Sequence, residues 1–217
     1  MNISADTAVA VVLGFVGYLI FFNLVTAAIG AAFGIRIQRI QFGFPPSISL
    51  LRIGQTDIRL SPLLLGGHVK FADKGDDKPY APWPVRALVA IAGPITAIAV
   101  CAIPLGAQAL DEAWMGWPQM LAVTIDFSRP VNIDAALLPS LQAGGLIAAS
   151  AVVAVKCAMF NLLPSFVLNG GAFLLALAEG ATGRDIHSRL PQFVLLLSIA
   201  LPLAFALILL WRIVAGV

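Results

Sequence analysis

Phe160-Asn161-Leu162-Leu163-Pro164-Ser165-Phe166-Val167-Leu168-Asn169-Gly170-Gly171 closes one long apolar run and opens another. Upstream, Ala143 to Leu163 carries a single charge, Lys156. Pro164 breaks a helix there, because it has no amide hydrogen and its ring clashes with the preceding turn. The Leu168–Leu177 run beyond the break is too short to cross a bilayer, so residues 168–180 are expected to form a short or re-entrant helix. Gly170 and Gly171 permit close backbone packing just after the break.

Working outward, the whole chain has the composition of a membrane protein. Of its 217 residues 60% are hydrophobic and only 11% charged, with a mean hydropathy of +0.96, outside the range of soluble domains. Runs of about 20 apolar residues cross the hydrocarbon core as helices. Four such runs are present, at about 7–33, 85–110, 143–163 and 193–214. The expectation is a polytopic α-helical membrane protein, one domain over 1–217. Cys101 and Cys157 fall inside these runs and read as small apolar packing residues.

Residues 35–71 differ. Ile35-Arg36-Ile37-Gln38-Arg39-Ile40-Gln41-Phe42 and Ile58-Arg59-Leu60 alternate apolar and polar side chains. Gly43, Pro45, Pro46, Gly54, Pro62, Gly66 and Gly67 punctuate the segment. Period-two alternation with such breakers predicts short strands and turns.

In this order the chain resembles the site-2 proteases, zinc metalloproteases that cut substrates inside membranes. Asn161 to Gly170 is similar to their N-x-x-P-x-x-x-x-D-G signature, with Asn169 where the family has a zinc-binding Asp. Gly34-Ile35-Arg36-Ile37-Gln38-Arg39 resembles the stretch that follows the family's first core helix. Leu65-Gly66-Gly67-His68-Val69-Lys70-Phe71 looks like its P-L-G-G-Y-V-K-M element, and Ala92-Gly93-Pro94 matches the A-G-P of its second core helix. The resemblance implies a core of about four spanning helices with a small membrane-associated β-sheet after the first. In active members that sheet holds an extended substrate by edge-strand pairing.

The chemistry of the family's site is not carried over. Its remaining zinc ligands and general base lie in H-E-x-x-H, where two imidazoles at i and i+4 share a helix face. That motif is absent, and the two histidines, His68 and His187, are far apart in the chain. Counting back from Gly34, Phe22 and Thr26 fall at the ligand positions and Asn23 at the base. A neutral amide is a far poorer ligand than a carboxylate. The reading is therefore no metal, no cofactor and no proteolysis. Asn23 and Asn169 are expected to hydrogen-bond each other in the former metal cavity. Asn161, Pro164, Asn169 and Gly170 either keep a peptide-binding groove or simply form the helix break.

Ten of the thirteen Lys and Arg residues lie in 34–86 or in the loop before the last span. The positive-inside rule makes residues 34–86 and 180–190 cytoplasmic, in a bacterial-type inner membrane, with both termini outward. The 106–142 connection then faces outward, part of it along the membrane interface through Trp114, Trp117 and Phe127, and reads either as a packed cap over the helix ends or as a docking surface for a partner's extramembrane domain. Lys156 sits within a span, where a charge is costly and marks a functional site by default. No acidic residue is expected at its depth. It either snorkels or pairs with a backbone carbonyl, or its partner is a carboxylate on another subunit.

The partners expected are the lipid bilayer and other integral membrane proteins, with no case for nucleic acid. Three functions follow: an inactive scaffold or accessory subunit of a membrane complex, an inactive regulator that captures single-span clients, or a protease with atypical ligands.

Overall fold

The computed structural model describes residues 3–43, 46–62, 64, 66–72, 80–126, 131–186 and 190–215. Leu65, Phe127, His187, Arg189 and residues 73–78 lie outside them. Seven helices and four strands follow in the order α1 (Ala5–Ala32), β1 (Ile37–Phe42), β2 (Ile48–Ile53), β3 (Thr56–Leu60), β4 (Gly67–Phe71), α2 (Trp83–Leu105), α3 (Gln108–Trp114), α4 (Gly116–Ile125), α5 (Ile133–Asn161), α6 (Asn169–Thr182) and α7 (Gln192–Ala215). Four of them, α1, α2, α5 and α7, are long and apolar enough to cross a membrane.

Ser4 starts α1 by accepting the Thr7 amide on its hydroxyl, which satisfies one of the orphan donors of the first turn. The Ser4 amide and hydroxyl also donate to the Asp134 carboxylate in the first turn of α5. Further along, Asn161 at the end of α5 donates to the Tyr18 hydroxyl in the middle of α1. These two ties make α1 and α5 run in the same direction. Small residues line their seam: a methyl group on Gly14 would lie 2.4 Å from the Ser150 carbonyl oxygen. Close backbone approach of this kind supplies the van der Waals contact that holds helices together in lipid. α2 runs antiparallel to α1. Its Gly93 faces Phe22 and Thr26, while Cys101 and Leu105 join Ala10, Ala148 and Val152 in the largest apolar cluster.

Two boundaries differ from the sequence expectation. The run expected to span 85–110 stops at Leu105, where Gly106 takes a left-handed φ of 58°. Ala107 to Leu110 instead lead into α3. The run expected from Ala143 belongs to a longer helical segment that starts at Ile133. Non-helical Gly144 and Gly145 kink it, the latter with φ 63°.

The 106–142 connection does not stay at the helix ends. α3 and α4 form a hairpin whose turn abuts the far end of α5: Trp117 Nε1 donates to the Met159 carbonyl at 2.8 Å. Because Met159 lies beside Asn161, which meets Tyr18, this turn reaches about the middle of α1. Arg212, near the end of α7 and fully buried, donates to the Val123 carbonyl in the last turn of α4.

The strands form one sheet in the order β2-β3-β1-β4. β1 pairs parallel with β3 and antiparallel with β4, and β2 pairs antiparallel with β3. One face, including Gly67, Val69 and Phe71, turns toward α1. A methyl group on Gly30 would lie 2.3 Å from the Phe71 ring, and Phe71 stacks on Tyr80. β2 is an edge strand exposed along its whole length.

Candidate functional site

α1, α2 and the α5–α6 turn meet around the residues singled out above. Phe22 and Thr26 lie on the α1 face that meets α2, since a methyl group on Gly93 would fall 2.4 Å from Phe22 Cδ2 and 2.9 Å from Thr26 Oγ1. Only glycine fits between those helices without displacing Phe22. Tyr18 stacks on Phe22 one turn away and takes its hydrogen bond from Asn161 at 3.0 Å.

The turn after α5 is built by its own backbone. α5 ends at Asn161, the Leu163 amide donates to the Phe160 carbonyl, and the Leu168 amide donates to that of Ser165. The chain then folds so tightly that a methyl group on Gly170 would lie 2.0 Å from the Leu162 carbonyl oxygen. Asn161 Oδ1 accepts the Asn169 amide at 3.4 Å, meeting one of the unpaired donors at the start of α6. Asn161 thus joins three elements: it ends α5, touches α1 through Tyr18 and caps α6. Pro164 itself is exposed at the turn.

Asn169 does not reach Asn23. Its Nδ2 donates to the Ala90 carbonyl of α2 at 2.5 Å. Asn23 Nδ2 donates back to the Leu19 carbonyl of its own helix at 2.8 Å. The expected amide pair is corrected by geometry: Asn23 points at the sheet, 2.8 Å from where a methyl group on Gly67 would be, whereas Asn169 is held against α2. Both Asn23 and Thr26 are buried, at 0% and 7% exposure. Asn23 Oδ1 and Thr26 Oγ1 have no hydrogen-bond partner among the described residues.

α6 is pinned by a feature that sequence reading passed over. Arg86 in the first turn of α2 forms an ion pair with Glu179 on α6, and Glu179 Oε1 also accepts the Ile186 amide at 3.0 Å. The signal was a lone acid in an apolar run downstream of a lone base in another. Trp83 packs over Gly180 beside the pair.

Lys156 bears out one of its readings and corrects the other: it bonds a backbone carbonyl, and its carboxylate partner is not on another subunit. Its ammonium lies 2.5 Å from the Glu112 carboxylate of α3, donates to the Glu112 carbonyl at 3.0 Å and to Gln119 Oε1 of α4 at 2.5 Å. The partner is in the same chain. Sequence reading placed Glu112 in an outward loop, but the hairpin turns inward and delivers it to the depth of Lys156. Cys157, one position on, is a free thiol among packed helices.

The fold and these contacts define a multi-pass membrane protein whose first, second and third long helices enclose a buried polar site beside a small sheet. A model of peptidase family M50, the site-2 protease family, matches residues 10–205. The chain belongs to that family. No curated protein matches it.

The family implies zinc, and the donor set decides whether these residues fit it. Zinc is held by imidazole, thiolate or carboxylate groups. Phe22 offers no donor atom, Thr26 an alcohol, and Asn23 and Asn169 neutral amide oxygens, far poorer ligands than a carboxylate. Among the described residues, no three His, Cys, Asp or Glu side chains gather in one place. The residues at this site do not fit a zinc ion.

Proposed function

We propose that this protein is a proteolytically inactive member of its family, acting as a scaffold or accessory subunit of a membrane protein complex. The observation that supports this reading is the chemistry at one place. Phe22, Asn23, Thr26 and Asn169 stand where the resemblance puts two imidazoles, a general base and a carboxylate. A phenyl ring packed on Gly93 and two amides tied to backbone carbonyls serve helix packing. They offer neither a Lewis acid's ligands nor a base to activate water. A chain that keeps its fold-building contacts without those groups is most simply explained by binding.

The orientation that goes with this reading has residues 34–86 and 180–190 cytoplasmic and both termini outward in a bacterial-type inner membrane, from the placement of basic residues. Its test is affinity purification from native membranes in mild detergent, with mass spectrometry and metal analysis on one sample. A stoichiometric membrane partner without zinc is the expected result. One zinc per chain overturns the reading and returns the protein to the proteases, by way of ligands other than the family's.

The exposed edge strand β2 favours a second reading, in which the chain captures clients rather than joining a stable complex. An open edge offers unpaired backbone groups to an extended peptide. Client crosslinks concentrated in residues 35–71, with no stoichiometric partner, would select it.

A further inference from the structure

The tip of the α3–α4 hairpin carries polar groups deep in the membrane, open on one side among the described residues. Their depth follows from two contacts between α1 and α5. Gly14 of α1 abuts the Ser150 carbonyl, and Tyr18 meets Asn161. Lys156 lies between Ser150 and Asn161 on α5, so it is level with residues 14–18 of α1, near the middle of that 28-residue helix. A helix of this length measures about 42 Å and outreaches a hydrocarbon core of about 30 Å at both ends. Lys156, with the Glu112 and Gln119 side chains that meet it, therefore sits inside hydrocarbon.

The ammonium itself is satisfied. Its three hydrogens face Glu112 Oε2, the Glu112 carbonyl and Gln119 Oε1. One acceptor and one donor are left over: Glu112 Oε1 and Gln119 Nε2 have no hydrogen-bond partner among the described residues. Neither is sealed in. The Lys156 and Glu112 side chains are 26% and 22% exposed, and Gln119 is exposed. Acyl chains offer no hydrogen bond, and unmet polar groups in hydrocarbon are costly.

The kind of group left over says what covers it. Glu112 Oε2 and Gln119 Oε1 each lie 2.5 Å from the same nitrogen, so the free acceptor and the free donor are side by side. A patch with one of each is complementary to itself. Turned about a two-fold axis along the membrane normal, each copy's amide meets the other's carboxylate, and both copies keep one orientation in the bilayer. Trp114 and Met115 at the turn, 83% and 44% exposed, supply apolar contact around the polar centre.

We infer that the tip of the α3–α4 hairpin is a dimer interface whose occupant is a second copy of this chain. The Gln119 amide of each copy donates to the Glu112 carboxylate of its partner, a polar tie between helices within lipid. No other protein is needed for this contact, so its test stands apart from the search for a partner subunit.

Purified full chain, labelled in donor and acceptor pools and reconstituted in liposomes, gives the association constant by resonance energy transfer over a series of protein-to-lipid ratios. A dimer is expected, and Gln119→Leu and Gln119→Met should each lower the constant by roughly tenfold. Leu24→Ala, at an exposed position of α1 away from the hairpin, should leave it within about twofold. A monomer at every ratio, or a dimer indifferent to both Gln119 variants, overturns the interface. The second measurement is disulfide crosslinking in native membranes of Met115→Cys, with Cys101 and Cys157 changed to Ala. A crosslink between two copies is expected there and none from Leu24→Cys. A crosslink from Leu24→Cys alone overturns the placement, and a different protein joined to Met115→Cys overturns the occupant. Because the crosslinking keeps Gln119 intact, it decides the question even where the Gln119 variants fail to fold, which circular dichroism reports.

Discussion

Two of the polar places inside the helical bundle are built in opposite ways. Around Phe22, Asn23, Thr26 and Asn169 every side chain is neutral; the Asn23 amide bonds a backbone carbonyl of its own helix and the Asn169 amide one of α2. At the α3–α4 hairpin the groups are charged. Lys156 meets Glu112 and Gln119, and Arg212 meets the end of α4. A neutral polar group left unsatisfied costs about 1–3 kcal/mol, whereas an unpaired charge at the same depth costs more. The first place therefore tolerates orphan atoms such as Asn23 Oδ1 and Thr26 Oγ1. The second does not, and Lys156, Glu112 and Arg212 each have a partner. The difference teaches where removing one group will be felt: least at Asn23, and most at Lys156, whose partner would be left uncompensated.

The strongest attempt to break that contrast is Lys156→Leu. Removing one member of a buried pair leaves the other uncompensated, and a loss of about 3 kcal/mol is expected, read as reversible unfolding by steric trapping in a bilayer. Adding Glu112→Leu should recover most of it, because two apolar side chains suit this depth. If the double variant loses as much as both singles together, the pair is not a coupled unit.

Next in size is Gly93→Val. Its side chain would have to displace Phe22 and Thr26, so about 2 kcal/mol should be lost by overpacking, seen as a lower midpoint in a thermal scan. An unchanged midpoint would mean that the α1–α2 seam is looser than its contacts imply.

Asn23→Leu sharpens the comparison from the other side. The amide's oxygen has no partner and its NH2 bonds a carbonyl within its own helix, so the change is expected to stay within about 1 kcal/mol of the wild type. A loss as large as that of Lys156→Leu would place the two regions in one class.

The smallest effect concerns pH at the sheet. His68 is held below its ordinary pKa by burial, then by Arg39 and Lys70. The folded state therefore binds fewer protons than the unfolded one as pH falls through the ordinary histidine range. The stability His68 contributes is present above that range and fades below it, toward its folded pKa. A two-dimensional NMR titration of the ring should show this lowered value, and Lys70→Gln should raise it. A value at or above the ordinary one would contradict the influence of burial and of these two cations.

Much of this was legible beforehand. Four apolar runs gave the four long helices, because hydrocarbon admits little else across its thickness. Alternation in Ile35–Phe42 gave β1. The order of Gly34–Arg39, Gly66–Lys70, Ala92–Pro94 and Asn161–Gly170 gave the family. The site was legible in part: Phe22, Thr26, Asn161 and Asn169 do meet the same helices. The link that failed was side-chain direction. Residues one position apart on a helix point about 100° apart, so Phe22 turns to α2 while Asn23 turns to the sheet. Tyr18 was missed because an aromatic in an apolar run gives no sign that its hydroxyl will be needed.

The sequence by itself determined that this is a membrane protein of the site-2 protease family and that it carries no H-E-x-x-H, since hydropathy and motifs are properties of residues. It could not determine which side chains meet. Only the tertiary structure decided that Glu112, in a stretch read as an exterior loop, pairs with Lys156. Only strand register set Arg39 against Lys70. Both depend on where a turn sends the chain, Gly106 ahead of the hairpin and the β1–β4 pairing in the sheet, and contacts between residues far apart in sequence leave no local pattern to read.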